Sequence, residues 1–236
     1  MPDWEGVITE EIVGTSSSPY YTSQIPNVDQ AESISLNYVT SIGYRAFFNC
    51  RNLTSVTIGN CVMSIGNHAF AGCIGLTSVT IPGSVTNIGQ NAFYNCDRLT
   101  SVTIPNSMAT IKTATFMYCR GLTSVTIPDS VTSIGADAFS YCGGLTSVTI
   151  GNGVTQIYGR AFNNCSNCKL FDFRKATSVP TLENVNAFQS TPSNKEIIVP
   201  DSLYDSWKAV SNWSSTTNNI VNCIVKASQS SLGSLT

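Results

Sequence analysis

The chain has 236 residues, of which 42% are hydrophobic and 11% are charged, and its formal net charge is −2. Its 12 lysines and arginines are scattered along the chain, so the sequence predicts no broad basic field for nucleic acid. It contains no run of about 18 apolar residues, so it predicts no direct insertion into a membrane.

The first part of the chain does not repeat, and we interpret residues 1–33 as an N-terminal cap. Residues 5–13 favour one or two strands, and residues 15–19 favour a loop. A cap is expected here because the first unit of a stacked array would otherwise expose its apolar face. Residues 1–6 lack the basic start and the apolar core of a secretory signal.

Residues 34–173 are dominated by a repeat of 23 residues. The hexapeptide Leu-Thr-Ser-Val-Thr-Ile returns at this interval, beginning at Leu53, Leu76, Leu99, Leu122 and Leu145. Between copies runs a second motif, Val…Ile-Gly…Ala-Phe…Cys. A fixed period of this length predicts a stacked solenoid, because one such unit cannot bury its own apolar face.

The unit that begins at Leu76 indicates how one repeat builds one turn of the solenoid. Val79 and Ile81 alternate with serine and threonine, as in a half-buried strand. A Pro-Gly pair then predicts a turn, and the Ala-Phe-x-x-Cys segment ending at Cys96 favours a short helical turn. We therefore predict about six 23-residue repeats, with a parallel β-sheet of short strands on one face, turns and short helical turns on the other, and columns of leucine, phenylalanine and cysteine inside.

Six of the nine cysteines occupy one position of the repeat: Cys50, Cys73, Cys96, Cys119, Cys142 and Cys165. Stacking places neighbours about 4.8 Å apart. That spacing is compatible with a disulfide, but pairing would break the equivalence of the repeats. We therefore expect buried free thiols that fill space, which suits a reducing or anaerobic environment. Cys165-Ser-Asn-Cys168 is a C-x-x-C pair, but no second pair follows, so no zinc site is predicted.

After Cys165 the repeat degenerates. Residues 170–173 suggest a strand displaced by two residues, and the next Ala-Phe pair follows after 26 residues instead of 23. Residues 174–225 are interpreted as a degenerate last repeat and a C-terminal cap, with Leu203, Trp207 and Val210 on one face of a short helix. We expect Trp207 and Trp213 to pack in this cap, with a ligand-facing role as the alternative. The serine-rich residues 226–236 predict a flexible tail.

No catalytic set emerges, and we predict no enzyme, no cofactor and no metal site. The one histidine, His68, occupies a variable outer position and is expected to be solvated. No Gly-x-Ser-x-Gly, phosphate-binding or dinucleotide-binding motif is present. Asp97, Asp129 and Asp137 occupy different positions of the repeat, so a glycosidase with two facing carboxylates is a weaker alternative.

The pattern L-T-S-V-T-I-P-x-S-V-T-S-I-G-x-x-A-F-x-x-C, from Leu122 to Cys142, resembles the BspA-type (Treponema-type) leucine-rich repeat family. The resemblance extends over about residues 34–165. It implies a leucine-rich-repeat solenoid and a location at the cell surface or outside the cell, in bacteria of the mouth and gut. Members are associated with adhesion to host matrix proteins and with coaggregation, and the resemblance implies no catalytic residues.

Two surfaces are candidates for binding a partner. Outward hydroxyl residues form columns on the strand face, and the candidate ligand-binding residues there are Ser78, Thr80, Ser101, Thr103, Ser124 and Thr126. The alternative, on the outer face, consists of Phe48, Tyr94, Tyr118 and Tyr141. The expected partner is a host extracellular-matrix protein or cell-surface component, or a glycan. The alternative function is a structural spacer, which predicts uniform columns, whereas binding predicts columns interrupted by charge or aromatic rings.

Overall fold

The computed structural model describes residues 28–216 and 219–231. The described residues form a solenoid in which each repeat contributes two short parallel strands. The strands predicted within residues 5–13 and the loop predicted for residues 15–19 lie outside the described residues.

The strands of the described residues are short, and the second strand of most repeats has only two residues. In chain order they are β1 (Ser33–Leu36), β2 (Ser41–Ile42), β3 (Ser55–Ile58), β4 (Ser64–Ile65), β5 (Ser78–Thr80), β6 (Asn87–Ile88), β7 (Ser101–Thr103), β8 (Thr110–Ile111), β9 (Ser124–Ile127), β10 (Ser133–Ile134), β11 (Ser147–Ile150), β12 (Gln156–Ile157), β13 (Leu170–Asp172), β14 (Thr181–Leu182), β15 (Glu196–Val199) and β16 (Ile224–Lys226). The helices are α1 (Tyr204–Ala209) and α2 (Ile220–Cys223), and short 3-10 turns cover Val28–Gln30, Val185–Phe188, Asp201–Leu203 and Ala227–Gln229.

The strands form two parallel ladders. The odd-numbered strands and β16 make the first ladder, and the even-numbered strands from β2 to β14 make the second. Identical residues of neighbouring repeats lie opposite each other, as Ser55 and Ser78 do in the first ladder. Along β3 and β9 the residues alternate between exposed and buried, which confirms a half-buried sheet with one apolar face.

The outer segment of each repeat consists of consecutive turns, not of the predicted short helical turn. Phe93 N donates to Thr115 O of the next repeat at 2.9 Å, whereas Tyr94 N donates back to Asn91 O at 3.1 Å. Successive N–H groups of this segment therefore alternate between a hydrogen bond within their own repeat and one to the next repeat. This alternation requires residues in the left-handed backbone conformation, such as Asn91 and Asn95, both with φ of 56°. A helix would direct every N–H along its own axis and would leave the neighbouring repeat without these bonds.

Columns of identical side chains fill the interior, as the repeat predicts. The phenylalanine rings stack nearly parallel, with centroids 5.1–5.7 Å apart, and each ring is at most 1% exposed. The members are Phe47, Phe70, Phe93, Phe116, Phe139, Phe162 and Phe188. Each ring between the two ends of the column contacts like rings above and below, so neighbouring repeats are coupled through the core.

The six cysteines of the repeat are free and buried, which confirms the prediction. From Cys73 to Cys165, each Sγ donates a hydrogen bond to a phenylalanine carbonyl of the preceding repeat at 3.1–3.3 Å. Burial raises the pKa of Cys142 to about 12, so this thiol keeps its proton. The cysteines thus fill space and also satisfy an acceptor that faces the core.

The first ladder keeps its 23-residue register past Cys165. Ser147 lies opposite Leu170, so the predicted displacement of this strand by two residues is wrong. Cys168 takes the place of the column leucine and is fully buried, which makes the strand look shifted in the sequence. The extra residues enter one turn later, where Glu196 lies opposite Leu170, in agreement with the 26-residue interval of the Ala-Phe pairs.

The C-terminal cap closes the apolar end of the stack. Trp207 and Trp213 are fully buried, and their rings lie 5.3 and 5.6 Å from Phe173, which confirms their predicted role in packing. Trp213 Nε1 also donates to Pro180 O at 2.7 Å. The prediction that Val210 lies on one helix face with Leu203 and Trp207 is wrong, because α1 ends at Ala209 and Val210 is extended and 36% exposed.

Residues 226–231 fold onto this cap, although the sequence predicted a flexible tail over residues 226–236, of which 232–236 lie outside the described residues. Lys226 is the last residue of β16. The hydroxyl of Ser228 donates to the carboxylate of Asp201, and the hydroxyl of Ser230 donates to that of Glu196 at 2.6 Å. These serines bind two carboxylates of the cap, an interaction that composition alone does not reveal.

Candidate functional site

The six candidate residues of the strand face lie on three strands of the first ladder, and all are exposed. Ser78 lies opposite Ser101, and Thr80 lies opposite Thr103, because β5 and β7 are paired. Ser124 and Thr126 lie on β9, which pairs with β11. The structure therefore places all six on one face but divides them between two separate sheets.

The first ladder is interrupted between β7 and β9. The strands from β1 to β7 form one sheet, and the strands from β9 onward form another. Where these two strands begin, Thr123 N donates to Thr100 O at 3.4 Å, whereas the equivalent bonds of other repeats measure 2.8–3.1 Å. The second ladder is interrupted between β6 and β8. Within the repeat of residues 99–121, β7 therefore pairs with β5 of the preceding repeat, and β8 pairs with β10 of the following repeat.

This repeat has several residues larger than those of the preceding repeat, and three of them are Met108 for valine, Lys112 for glycine and Thr115 for alanine. A Cβ atom added at Gly89 would approach the backbone of the neighbouring repeat to 2.4 Å, so a glycine there permits close stacking. Tyr158 also replaces this glycine, yet its repeat keeps valine and alanine at the other two positions, and β12 stays paired with β10. We attribute the interruption to the three larger residues acting together.

A groove of about 590 Å³ lies on the strand face and includes the interrupted junction of β7 and β9. Four of the six candidate residues line it, namely Ser101, Thr103, Ser124 and Thr126. Asn106 and Asp129 border it from the turns that follow the strands. Lys175, two repeats farther along, lies with its Nζ 3.7 Å from Asp129 Oδ2. With Thr149 as a fifth hydroxyl residue, the groove therefore combines five hydroxyl groups, an amide and a partly exposed ion pair.

The sequence did not identify the charged residues at this end of the strand face. Asp172 continues the threonine column, opposite Thr149, and is only 7% exposed. Its carboxylate accepts from Arg174 Nε at 3.0 Å and from the terminal Nη2 at 2.6 Å. Both features could have been found by counting in steps of 23 residues, which place Asp172 one step after Thr149 and Lys175 two steps after Asp129.

On the outer face, three of the four aromatic candidates form one cluster. The rings of Tyr118 and Tyr141 stack with centroids 4.6 Å apart, and Tyr94 meets Tyr118 edge to face at 5.5 Å. Phe48 lies apart from them, with the guanidinium of Arg45 over its ring at 4.7 Å. Tyr141 is 38% exposed, so this cluster presents an aromatic surface to solvent.

The described residues contain no group of three or more His, Cys, Asp or Glu side chains placed to hold a metal ion. His68 meets the ring of Tyr44 edge to face at 5.9 Å. Partial burial and the nearby charge of Arg45 lower the pKa of His68, so its imidazole is neutral near pH 7. Over residues 28–216 and 219–231, no helix has the length and apolar character needed to span a membrane.

The sequence pattern of the BspA type leucine rich repeat region matches the chain in six copies, over residues 40–169 and 87–216. The crystal structure of a leucine-rich repeat protein of T. pallidum is similar, with 27% identity and a TM-score of 0.63 over 75% of this chain and 82% of that one. A leucine-rich repeat protein of Eubacterium ventriosum is 25% identical, with a TM-score of 0.63 over 68% of this chain and 43% of that one. The chain thus spans less than half of the second protein.

A search of curated proteins found no match. The matched repeats cover well over half of the chain, and their columns of Leu, Phe and Cys are those that fill the core. The solenoid architecture is shared with both bacterial structures. The chain is therefore a member of the BspA-type leucine-rich repeat family.

Proposed function

We propose that this chain is a non-enzymatic interaction module, located at a bacterial cell surface or secreted. Its strand-face groove binds a protein of the host extracellular matrix or of a neighbouring cell. The observation that carries this proposal is the opening between β7 and β9, which interrupts an otherwise regular ladder.

The chemistry of the groove suits a polar, extended segment of a partner protein. Ser101, Thr103, Ser124 and Thr126 each supply a hydroxyl that both donates and accepts, and Asn106 adds an amide. A partner backbone presents the same alternation of donors and acceptors. Asp129 and Lys175 neutralise each other, so the groove favours hydrogen bonding over the capture of a strongly charged partner.

A structural spacer is the second candidate, and the regular part of the first ladder favours it. From β1 to β7, exposed serine and threonine recur in register without a charged residue among them. A spacer needs no irregularity, however, whereas the groove and the buried Asp172 both interrupt the columns. Adhesion therefore accounts for more of the strand face than a spacer does.

The test is capture of matrix and cell-surface proteins by the purified chain, followed by titration of the captured protein. Thr126→Arg places a long side chain in the groove. Thr57→Arg is the matched control, because Thr57 is an exposed threonine of the same column on β3, outside the groove. Both variants add one charge to an equivalent surface position.

The proposal expects saturable binding that Thr126→Arg weakens by about tenfold or more and that Thr57→Arg leaves unchanged. Binding that both variants weaken equally would indicate general repulsion and would contradict a site in the groove. Binding that is unchanged in Thr126→Arg would show that the partner binds outside the groove. Failure to capture any protein at micromolar concentration would favour the spacer.

A further inference from the structure

Two tyrosines of the outer face adopt a backbone conformation that disfavours them. Tyr118 has φ of 64° and Tyr141 has φ of 62°. The same position of other repeats holds residues that tolerate this left-handed region, namely Asn49, Gly72, Asn95 and Asn164. Bulky residues at positive φ are uncommon and strained, and such strain concentrates at functional sites. The backbone at this position therefore does not itself favour a tyrosine.

The two rings differ in what covers them. The guanidinium of Arg120 lies over the Tyr118 ring, 5.1 Å from its centroid, and is held by Asp97 at 2.9 Å. Arg120 comes two residues after Tyr118, and the residue two after Tyr141 is Gly143. A Cβ added at Gly143 would contact only Ser166 Oγ, at 3.6 Å. A side chain at position 143 would therefore begin in open space, and glycine leaves Tyr141 without the cover that Arg120 gives Tyr118.

The charges around this opening are already paired. Arg160 Nε and Nη2 bind both oxygens of Asp137 at 2.8–3.2 Å, and Arg120 binds Asp97. The surroundings of Tyr141 are thus nearly neutral but rich in donors. A charged peptide gains little from such a surface, whereas a neutral ligand with hydroxyl groups can use the free donors of Arg120.

We propose that Tyr141 and the open space at Gly143 bind one neutral pyranose unit of a glycan. The C–H face of the sugar packs on the exposed part of the Tyr141 ring, and its hydroxyls bond to Arg120 and to Ser166. A pyranose combines a flat apolar face with a rim of hydroxyls, which matches an aromatic ring bordered by a guanidinium and a hydroxyl. This site is built from outer turns and does not depend on the groove of the strand face.

The test uses saturation-transfer NMR with four neutral sugars at millimolar concentration: maltotriose, cellotriose, mannotriose and N-acetylchitotriose. Tyr141→Asn removes the ring but keeps the fold, because asparagine holds this position in three other repeats. Gly143→Arg fills the opening with the residue that covers Tyr118. Tyr44→Asn is the control, because Tyr44 is equally exposed, at 38%, and the equivalent position of the next repeat is Asn67.

We expect transfer to at least one of these sugars, with a roughly tenfold loss of affinity in both Tyr141→Asn and Gly143→Arg and no loss in Tyr44→Asn. Two outcomes would overturn the proposal. One is the absence of transfer to all four sugars. The other is binding that persists in both variants, which would place the sugar elsewhere. Neither outcome bears on protein capture by the strand face, so the two proposals fail separately.

Discussion

Replacing three residues of the repeat 99–121 is expected to close the strand-face groove. The variant that combines Met108→Val, Lys112→Gly and Thr115→Ala restores the side chains of the preceding repeat. Without the three larger residues, this repeat can approach its neighbours as closely as the others do. We therefore expect β6 to pair with β8, and β7 to pair with β9.

The expected change in stability includes two new backbone hydrogen bonds of the second ladder. Where other repeats meet in the second ladder, the two N–H groups equivalent to those of Ala109 and Lys112 donate to carbonyl groups of the preceding repeat at 2.7–2.9 Å. Neither bond is formed between β6 and β8, both of which lie within the described residues. Each bond contributes about 1 kcal/mol net. A new glycine costs about 0.5–1 kcal/mol, and the loss of buried atoms at Met108 and Thr115 costs about 1 kcal/mol more. These costs offset the two bonds, so the free energy of unfolding and the midpoint of thermal unfolding should both change little.

Hydrogen exchange provides the decisive assay, because it reports on the two amides directly. The amides of residues 109 and 112 should exchange rapidly in the natural chain and become protected in the triple variant. Lys112→Gly alone is the control and should leave exchange unchanged, since Tyr158 shows that a side chain at this position is compatible with pairing. The reasoning is refuted if the triple variant gains no protection, or if the single change protects both amides.

The remaining predictions concern the core. Phe93→Ala should lower the free energy of unfolding by about 3–5 kcal/mol in urea titrations, because it removes a buried ring stacked at 5.3 and 5.5 Å. Phe48→Ala, on the half-buried outer face, should cost less than half as much, and equal losses would contradict the stacking argument. Burial raises the pKa of Cys142 from 9.0 to about 12, so the folded chain holds this proton more tightly than the unfolded chain. Stability should therefore fall as the pH rises through that window, and the fall should be shallower in Cys142→Ala; identical slopes would disprove this account. At about pH 8 a thiol reagent should label the exposed Cys61 quickly and the buried ladder only after unfolding, and rapid labelling of the ladder would show that it opens locally.

The interior of the solenoid was predictable because the repeats of one chain can be aligned with each other. Six copies of one pattern distinguish a core position, such as Phe93, from a variable one, such as His68. The outer turns were not predictable in the same way. Ala92, Phe93 and Cys96 have the spacing of a helical turn, but the asparagines before and between them adopt left-handed conformations. Hydrogen bonds to the next repeat stabilise those conformations, and no local pattern expresses them.

The groove was predictable only in its residues, and not in its shape. The sequence selects the columns that contain Thr103 and Thr126, since both are outward positions of strands. The separation of these two strands depends instead on Met108, Lys112 and Thr115, which lie on other sides of the same turn. These departures from the repeat are visible in the sequence, but Tyr158, at the position equivalent to Lys112, shows that a side chain at that position alone does not predict the opening.

Departures from the repeat matter because a stacked array transmits them to its neighbours. When every repeat has the same residue at a position, each copy rests on a surface of its own shape, and stacking distorts nothing. A larger residue forces the repeats on either side to shift. The two ladders are interrupted at the repeat that contains Met108, Lys112 and Thr115. The strained tyrosines Tyr118 and Tyr141 occupy the same repeat and the next one. Two sets of departures thus fall within residues 99–144. The regular repeats on either side keep the identical columns that stabilise the stack, so residues 99–144 can differ from the pattern without loss of the solenoid.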